Sequence, residues 1–314
     1  MLDSILRSTL AALALAPALA VATELAYVSN EGSGTVSVID TGADKVVAEI
    51  PVGDKPRGSA ITIDKHALFV SEQPDQLAVI DLDKRAQAAA MRVGPSPEGV
   101  GISPDGRWVV VAVEESNEVV FIEVATRAKA FSVKVKGTNP EHAEFSPDGS
   151  LIWVSAEEGE TVDVIDFATR SEVAQITVGA RPRGIGFSVD GHHAYIAAEK
   201  ASLVYVVDTE TYKVETTITA GVRSNGITVH PNGRWVYVSN GADASVSVID
   251  TQLARSVATI GVGQRPWNMA LTSDGAKLYV ACGRSGTVSV IDTASNTRIA
   301  DIPVGKLPWG VAIH

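Results

Sequence analysis

The chain has 314 residues, of which 45% are hydrophobic and 20% charged, and its formal net charge at pH 7 is −11. This composition supplies enough apolar surface for a large core and excludes a disordered chain. The negative charge argues against nucleic acid and anionic membrane surfaces as partners.

The first element in chain order is an N-terminal apolar segment. Arg7 precedes an Ala/Leu-rich run that ends near Ala20. The run is shorter than the ~20 apolar residues of a membrane-spanning helix, so it predicts a signal peptide, residues 1–22, cleaved after Ala20 or Ala22. We therefore expect an exported, periplasmic protein with no membrane span after cleavage. Cys282 is the only cysteine, which excludes an internal disulfide.

The rest of the chain, residues 23–314, repeats one unit seven times. The repeat is marked by the motif VID or a variant of it, whose acidic residue recurs every 41–43 positions. These acidic residues are Asp40, Asp81, Glu123, Asp166, Asp208, Asp250 and Asp292. A fixed period in this range indicates a repeat architecture.

Each unit predicts four short strands. In the last complete unit they are WNMALT, KLYVAC, TVSVID and TRIADIPV, with the turn SDG after the first. Alternating apolar and polar residues are typical of strands, and Asp-Gly favours a tight hairpin. Seven such units predict an all-β fold, a single seven-bladed β-propeller with four antiparallel strands per blade. A second strand at Leu25–Ser29 and a first strand at Pro308–His314 predict that both chain ends complete the last blade.

The loop before each first strand has the pattern VGxxPx, and the residue after the proline varies strongly. We call this position the slot, and we expect its seven residues to surround the mouth of the central channel. The slot residues are Arg57, Glu98, Glu141, Arg183, Asn225, Trp267 and Trp309. Two positions earlier, and expected to point the same way in an extended segment, are Lys55, Ser96, Asn139, Arg181, Arg223, Arg265 and Leu307. His142 and Asn268 replace a glycine that the other five units carry after the slot.

The charges of these positions predict a cationic mouth, because six basic side chains accompany only Glu98 and Glu141. The loops between second and third strands add an acidic collar, formed by Glu31, Glu72, Glu114, Glu115, Glu157, Glu158 and Glu199. Such a field favours an anionic small molecule or an acidic partner segment. Trp267 and Trp309 could stack an aromatic ring, and Arg57 could contact Trp309. The alternative is that Arg and Glu of neighbouring blades pair and seal the channel.

Catalytic and metal signals are weak in comparison. The six histidines are scattered along the chain, and of these only His142 falls at the expected mouth. We predict no metal site, although a calcium ion in the acidic collar would fit its charge.

Three segments of the repeat carry a family resemblance: YVSNEGSGTVSVIDT, YVSNGADASVSVIDT and YVACGRSGTVSVIDT. They resemble the YVTN family of β-propellers, from about Glu24 to His314. The phrases SPEGVGISPDGRWVV, WVSAEEGETVDVID and LPWGVAI are similar to periplasmic YVTN propellers associated with PQQ-dependent alcohol catabolism. The resemblance implies a secreted accessory protein that acts beside a quinoprotein dehydrogenase or a transport component.

Three functional hypotheses follow. The first is a non-enzymatic binding module whose mouth holds an anionic small molecule or a partner protein; PQQ, a planar tricarboxylate, is a ligand of suitable chemistry, and no other cofactor is assigned. The second is a lactonase-like hydrolase, in which Glu141 or His142 is the general base and Arg183 stabilises an oxyanion. The third is a scaffold that binds proteins through its rim.

Overall fold

The computed structural model describes residues 24–314. These residues form 28 strands, numbered β1 to β28 in chain order, in seven four-stranded antiparallel sheets. None of them belongs to a helix that is long and apolar enough to cross a membrane. The predicted signal peptide, residues 1–22, lies outside the described residues and stays a prediction.

Each sheet is one blade, and its strands occupy four positions from the channel outward. The innermost strands are β4 (Ser59–Ile61), β8 (Pro97–Ile102), β12 (Pro140–Phe145), β16 (Pro182–Phe187), β20 (Ser224–Val229), β24 (Pro266–Leu271) and β28 (Pro308–Ile313). The second strands are β1 (Leu25–Asn30), β5 (Ala67–Glu72), β9 (Trp108–Val113), β13 (Leu151–Ala156), β17 (His193–Ala198), β21 (Trp235–Asn240) and β25 (Lys277–Cys282). The third strands are β2 (Thr35–Asp40), β6 (Gln76–Asp81), β10 (Glu118–Glu123), β14 (Thr161–Asp166), β18 (Leu203–Asp208), β22 (Ser245–Asp250) and β26 (Thr287–Asp292). The outermost strands are β3 (Lys45–Pro51), β7 (Ala86–Arg92), β11 (Ala128–Lys134), β15 (Ser171–Thr177), β19 (Val214–Thr219), β23 (Arg255–Gly261) and β27 (Thr297–Pro303).

The turns between first and second strands are formed by the sequence SPDG and its variants. In the turn of the third blade, the Asp105 carboxylate accepts a hydrogen bond from the Ser103 hydroxyl at 2.5 Å, and the Gly106 amide donates to the Ser103 carbonyl at 2.8 Å. Gly106 has a φ of 70°, a left-handed conformation that glycine adopts without steric cost. The turn chemistry therefore sets the register in which the two strands pair.

The seven blades form a closed ring, because each innermost strand contacts the innermost strands of both neighbours, and β28 contacts β4. The core consists of seven apolar clusters, each shared by two adjacent blades. Between the second and third blades, for example, Phe69 and Leu77 pack with Val111 and Ile122, and all four side chains are fully buried. Burial of apolar surface on both faces of every blade is the main stabilising contribution.

Both ends of the described chain meet in the first blade, whose strand order is β28-β1-β2-β3. β28 pairs with β1 in an antiparallel register that places Ala26 opposite Ile313. Leu25 and His314 exchange backbone hydrogen bonds of 3.0 and 3.1 Å beyond that pair. The predicted fold, a seven-bladed propeller closed by both chain ends, is confirmed.

Candidate functional site at the channel mouth

All seven slot residues line one cavity at the mouth of the channel, with a volume of about 340 Å³. They reach it because each stands at the start of an innermost strand, and the ring brings those seven starting points together. Five further residues complete the lining: Glu31, Glu114, Glu157, Arg181 and Arg265. The structure thus assembles the slot residues in one place, while their role in binding stays a prediction.

Serines of the second strands help to fix the slot residues. Ser29 donates a hydrogen bond to the carbonyl of Arg57 at 2.5 Å, and Ser71 donates to the carbonyl of Glu98 at 2.6 Å, each across a blade boundary. The glycine after the slot permits this close approach, since a Cβ atom built on Gly58 would lie 2.3 Å from the Glu98 carbonyl oxygen. The YVSN motif therefore orients the slot of the next blade as well as forming its own strand.

The residues two positions before the slot do not lie in an extended segment, so that expectation was wrong. All seven have a left-handed backbone, with φ between 46° at Lys55 and 66° at Arg181. Of these residues only Arg181 and Arg265 line the cavity, whereas the Arg223 side chain is 54% exposed outside it.

The predicted cationic mouth is not found, because the acidic collar folds into the cavity instead of surrounding it. Among the residues that line the cavity, four are arginines and five are glutamates. Glu31, Glu114 and Glu157 follow the second strands directly, and their side chains line the cavity. Glu72 does not belong to this group: it is the last residue of β5, it is buried, and burial raises its pKa to about 7.

Ion pairs across blade boundaries fill one half of the mouth, formed by the slot residues of the second to fifth blades. Arg57 pairs with Glu98 and, at 3.1 Å, with Glu31. Arg183 pairs with Glu141 and, at 2.8 Å, with Glu157. We call this the paired half. Burial and the nearby Glu141 carboxylate raise the pKa of Glu98, although Arg57 opposes the shift.

The carboxylate of Glu199 lies close to the guanidinium groups of four arginines. Its oxygens lie 3.3 Å from Arg183 and from Arg265, 3.6 Å from Arg181 and 3.8 Å from Arg223. Glu199 is 1% exposed. Burial lowers the pKa of Arg265, and the guanidinium groups of Arg223 and Arg183 contribute to the decrease although Glu199 opposes it. The positive charge that the sequence predicts for the whole mouth is therefore concentrated on this side.

The other half of the mouth, formed by the sixth, seventh and first blades, carries no ion pair between its slot residues, which are Asn225, Trp267 and Trp309. We call this the open half. Its collar positions are Gly241, Gly283 and, in the first blade, Glu31, whose carboxylate pairs with Arg57 of the paired half. The Trp267 ring lies over Gly283, where a built Cβ atom would be 3.0 Å from the ring. The Arg265 guanidinium lies 5.7 Å from the centre of the same ring. Within residues 24–314, this is the cation–π contact of the mouth, in place of the expected contact between Arg57 and Trp309.

Trp309 forms the floor of the mouth. It is stacked on His142, with ring centres 5.8 Å apart and planes inclined by 16°. His142 does not line the mouth cavity; it lines a second cavity of about 130 Å³ beneath Trp309. The trio considered for lactone hydrolysis is therefore divided, because Glu141 and Arg183 pair above this floor and His142 lies below it.

The carboxylates of Glu114, Glu141 and Glu157 approach one another within 4.8 Å, a spacing that would suit a cation. Arg183 already pairs with Glu141 and Glu157. Guanidinium groups thus supply the positive charge that a calcium ion in the acidic collar would bring, and we assign no metal to this cluster.

Three solved structures show the same fold. A functionally unknown protein from Desulfotomaculum acetoxidans DSM 771 is 19% identical, with a TM-score of 0.82 over 92% of this chain and 98% of that chain. Kuenenia stuttgartiensis hydrazine synthase is 23% identical, with a TM-score of 0.79 over 85% of this chain and 92% of that chain. Dihydro-heme d1 dehydrogenase NirN, solved in complex with DHE, is 17% identical, with a TM-score of 0.71 over 92% of this chain and 74% of that chain. At these identities the likeness concerns the fold alone.

No curated protein has a significant sequence match to the chain. The profile of one family, the YNCE-like beta-propellers, matches residues 1–314. The match agrees with the seven four-stranded blades and with the repeated YVSN and VID motifs. The chain belongs to the YNCE-like β-propeller family.

Proposed function

We propose that this protein is a non-enzymatic binding module that holds an anionic, ring-bearing small molecule at the channel mouth. One observation carries the proposal: four guanidinium groups share the Glu199 carboxylate beside an open cavity of about 340 Å³. Arg181 and Arg183 also pair with Glu157, whereas Glu199 is the acidic partner of Arg223 and Arg265 within residues 24–314. One carboxylate cannot satisfy the guanidinium groups of these two side chains, since each offers five N–H donors. A ligand carboxylate would complete them with charge-assisted hydrogen bonds.

The open half supplies the second element of recognition. Trp267 is partly exposed in the cavity, and Arg265 lies against its ring. A planar ligand that stacks on Trp267 would bring its carboxylate to Arg265 and to the half-exposed Arg223. The paired half contributes shape and little attraction, because the Arg57 and Arg183 side chains already have carboxylate partners.

The biological setting is part of the same proposal. The apolar N-terminal segment supports export to the periplasm, and the resemblance to propellers of PQQ-dependent catabolism supports an accessory role beside a quinoprotein dehydrogenase or a transport component. PQQ combines a planar ring system with three carboxylates, the two features that the mouth would recognise. We therefore choose PQQ as the first probe.

Isothermal titration calorimetry with PQQ tests the binding proposal. We expect binding in the micromolar range, and a loss of about tenfold or more in the double variant Arg223→Gln/Arg265→Gln, since a charge-assisted hydrogen bond contributes about 1.5–3 kcal/mol. Arg255→Gln, an exposed arginine of the outermost strand β23, is the matched control. Absence of heat with PQQ and with simpler aromatic carboxylates would remove the proposal and leave the scaffold hypothesis.

The non-enzymatic part has its own test. After incubation with the protein, PQQ should be recovered chemically unchanged, and a panel of lactones should hydrolyse at the background rate. Glu141→Gln serves as the comparison, because Glu141 was the candidate base that lies in the mouth cavity. Lactone hydrolysis by the unmodified protein that Glu141→Gln abolishes would favour the hydrolase instead.

A further inference from the structure

The cavity beneath Trp309, which we call the middle chamber, is shaped by one unusual strand. In β12 the residue after the slot is His142 and the residue two positions further is Glu144, where the other blades carry glycine or Asn268 and then alanine, glycine or threonine. The adjacent strand β8 leaves room for both. A Cβ atom built on Gly99 would lie 3.2 Å from His142 Nδ1, and one built on Gly101 would lie 3.2 Å from Glu144 Oε2.

Polar groups of the middle chamber lack partners among residues 24–314. His142 is 8% exposed and its Nε2 atom has no hydrogen bond. Burial lowers the pKa of His142 to about 3, so the ring is neutral and one nitrogen carries an acceptor lone pair. Burial alone raises the pKa of Glu144 to about 8, with no hydrogen bond or opposite charge to compensate. Asn268 adds a carboxamide to the same chamber.

A third cavity, of about 420 Å³, adjoins the middle chamber on the face of the ring opposite the mouth. Ser59, Val100 and Glu144 line both cavities. The rest of this lower chamber is mainly apolar, formed by the ends of the innermost strands at Ile61, Ile102 and Ile313 among others. Because Trp309 and His142 close the mouth side, the middle chamber is reached from this opposite face.

We propose that the middle chamber binds the ammonium group of a small primary alkylamine, which enters from the opposite face and leaves its alkyl chain in the lower chamber. An ammonium group has three N–H donors, and the chamber offers three kinds of acceptor: the Glu144 carboxylate, the neutral His142 ring and the Asn268 carbonyl. The Trp309 ring also lines the chamber and attracts a cation through its π face. Among the described residues that line the chamber, only Glu144 carries a formal charge at pH 8.5, so an anion is disfavoured there.

Calorimetry with n-butylammonium at pH 8.5 tests this proposal on the purified protein. We expect saturable binding that weakens about tenfold or more in Glu144→Gln and stays unchanged in Glu158→Gln, an exposed glutamate on the mouth face. Two further variants, Asn268→Gly and His142→Gly, restore the residue that five other blades tolerate and should each weaken binding by about threefold to tenfold. Circular dichroism establishes that each variant is folded.

Two comparison ligands separate the contribution of the ammonium charge from that of its N–H donors. n-Butanol, which lacks the charge, and tetramethylammonium, which lacks N–H donors, should bind at least about tenfold more weakly than n-butylammonium. Arg265→Gln at the mouth should leave amine binding unchanged, so this proposal and the proposed PQQ site fail independently. Equal binding of n-butanol, unchanged amine binding in Glu144→Gln, or tighter binding of Ca²⁺ or Mn²⁺ lost in the same variant would each overturn it.

Discussion

The two halves of the channel mouth share one backbone frame and differ in how their charges are satisfied. In the paired half, Arg57 and Arg183 reach carboxylates of neighbouring blades, so these long side chains connect blades. In the open half, Asn225, Trp267 and Trp309 occupy the same positions, and glycines replace two of the three collar acids, at positions 241 and 283. In our proposal, the paired half of the mouth therefore contributes to stability and the open half binds the ligand.

The largest expected effect comes from breaking the paired half. Arg183→Gln leaves Glu141, Glu157 and Glu199 without their common partner, and Arg183 is only 13% exposed. Removal of one member of a buried ion pair costs about 3–5 kcal/mol of unfolding free energy. Urea denaturation at pH 8 measures this loss. The loss should be smaller at lower pH, because burial raises the pKa of Glu157 and its protonated carboxyl group does not need a guanidinium partner.

The exposed arginine Arg223 is the control for that experiment. It contacts Glu199 only at 3.8 Å, so Arg223→Gln should change the unfolding free energy by less than about 0.5 kcal/mol. Equal losses in Arg183→Gln and Arg223→Gln would mean that the two halves do not differ in the way proposed here.

Glu144, a buried carboxyl group with no guanidinium partner, can be compared with the paired glutamates of the mouth. The pKa of Glu144 is raised to about 8 in the folded protein, so its contribution to stability is lost as pH rises from about 4.5 to 8. Glu144→Gln should therefore be more stable than the unmodified protein by up to about 4 kcal/mol at pH 8.5 and equally stable near pH 4.5. His142 stays neutral throughout this range. Thermal unfolding without added amine measures the difference, and a pH-independent difference would contradict the assignment.

A change in the open half should affect binding with little effect on stability. Trp267→Leu removes the ring that stacks on the ligand, so the affinity for PQQ should fall about fivefold. Citrate, a tricarboxylate without a ring, should bind the variant and the unmodified protein equally. Calorimetry with both ligands makes the comparison, and a parallel loss for citrate would show that Trp267 acts only through its neighbour Arg265.

The smallest effect is expected at the glycine beneath that ring. A Cβ atom in Gly283→Ala would lie 3.0 Å from the Trp267 ring, so the ring must move by a few tenths of an ångström. We expect about a twofold loss of PQQ affinity and less than about 0.5 kcal/mol of stability. Tryptophan fluorescence reports the displacement of the ring, and an unchanged spectrum would mean that the ring has no fixed position.

The sequence alone predicted the fold of this protein, because the motifs that specify its strands and turns are local. The period of the VID acids, the Asp-Gly turns and the alternating residues of TVSVID specify strands, and seven strands starting at equivalent positions must converge at the hub. The structure accordingly places every slot residue, from Arg57 to Trp309, around one cavity.

The details of the mouth could not be predicted, because a strand pattern gives the direction of a side chain and not its reach. Glu157 and Glu199 were expected outside the mouth, yet their side chains reach inward to Arg181 and Arg183. Glu144 was missed altogether. Its signal was present in the sequence, since aligned units place a carboxyl where the other six carry alanine, glycine or threonine.

The strand that closes the ring of blades, β28, also carries the side chain that blocks the channel. β28 pairs with β1, whose residues precede it by more than 270 positions in the chain. The second residue of β28, Trp309, stacks on His142 of the fourth blade. Displacing this one segment would release the seam of the ring and remove Trp309 from between the mouth cavity and the middle chamber. The closure of the ring and the separation of the two cavities therefore depend on the same six residues of β28.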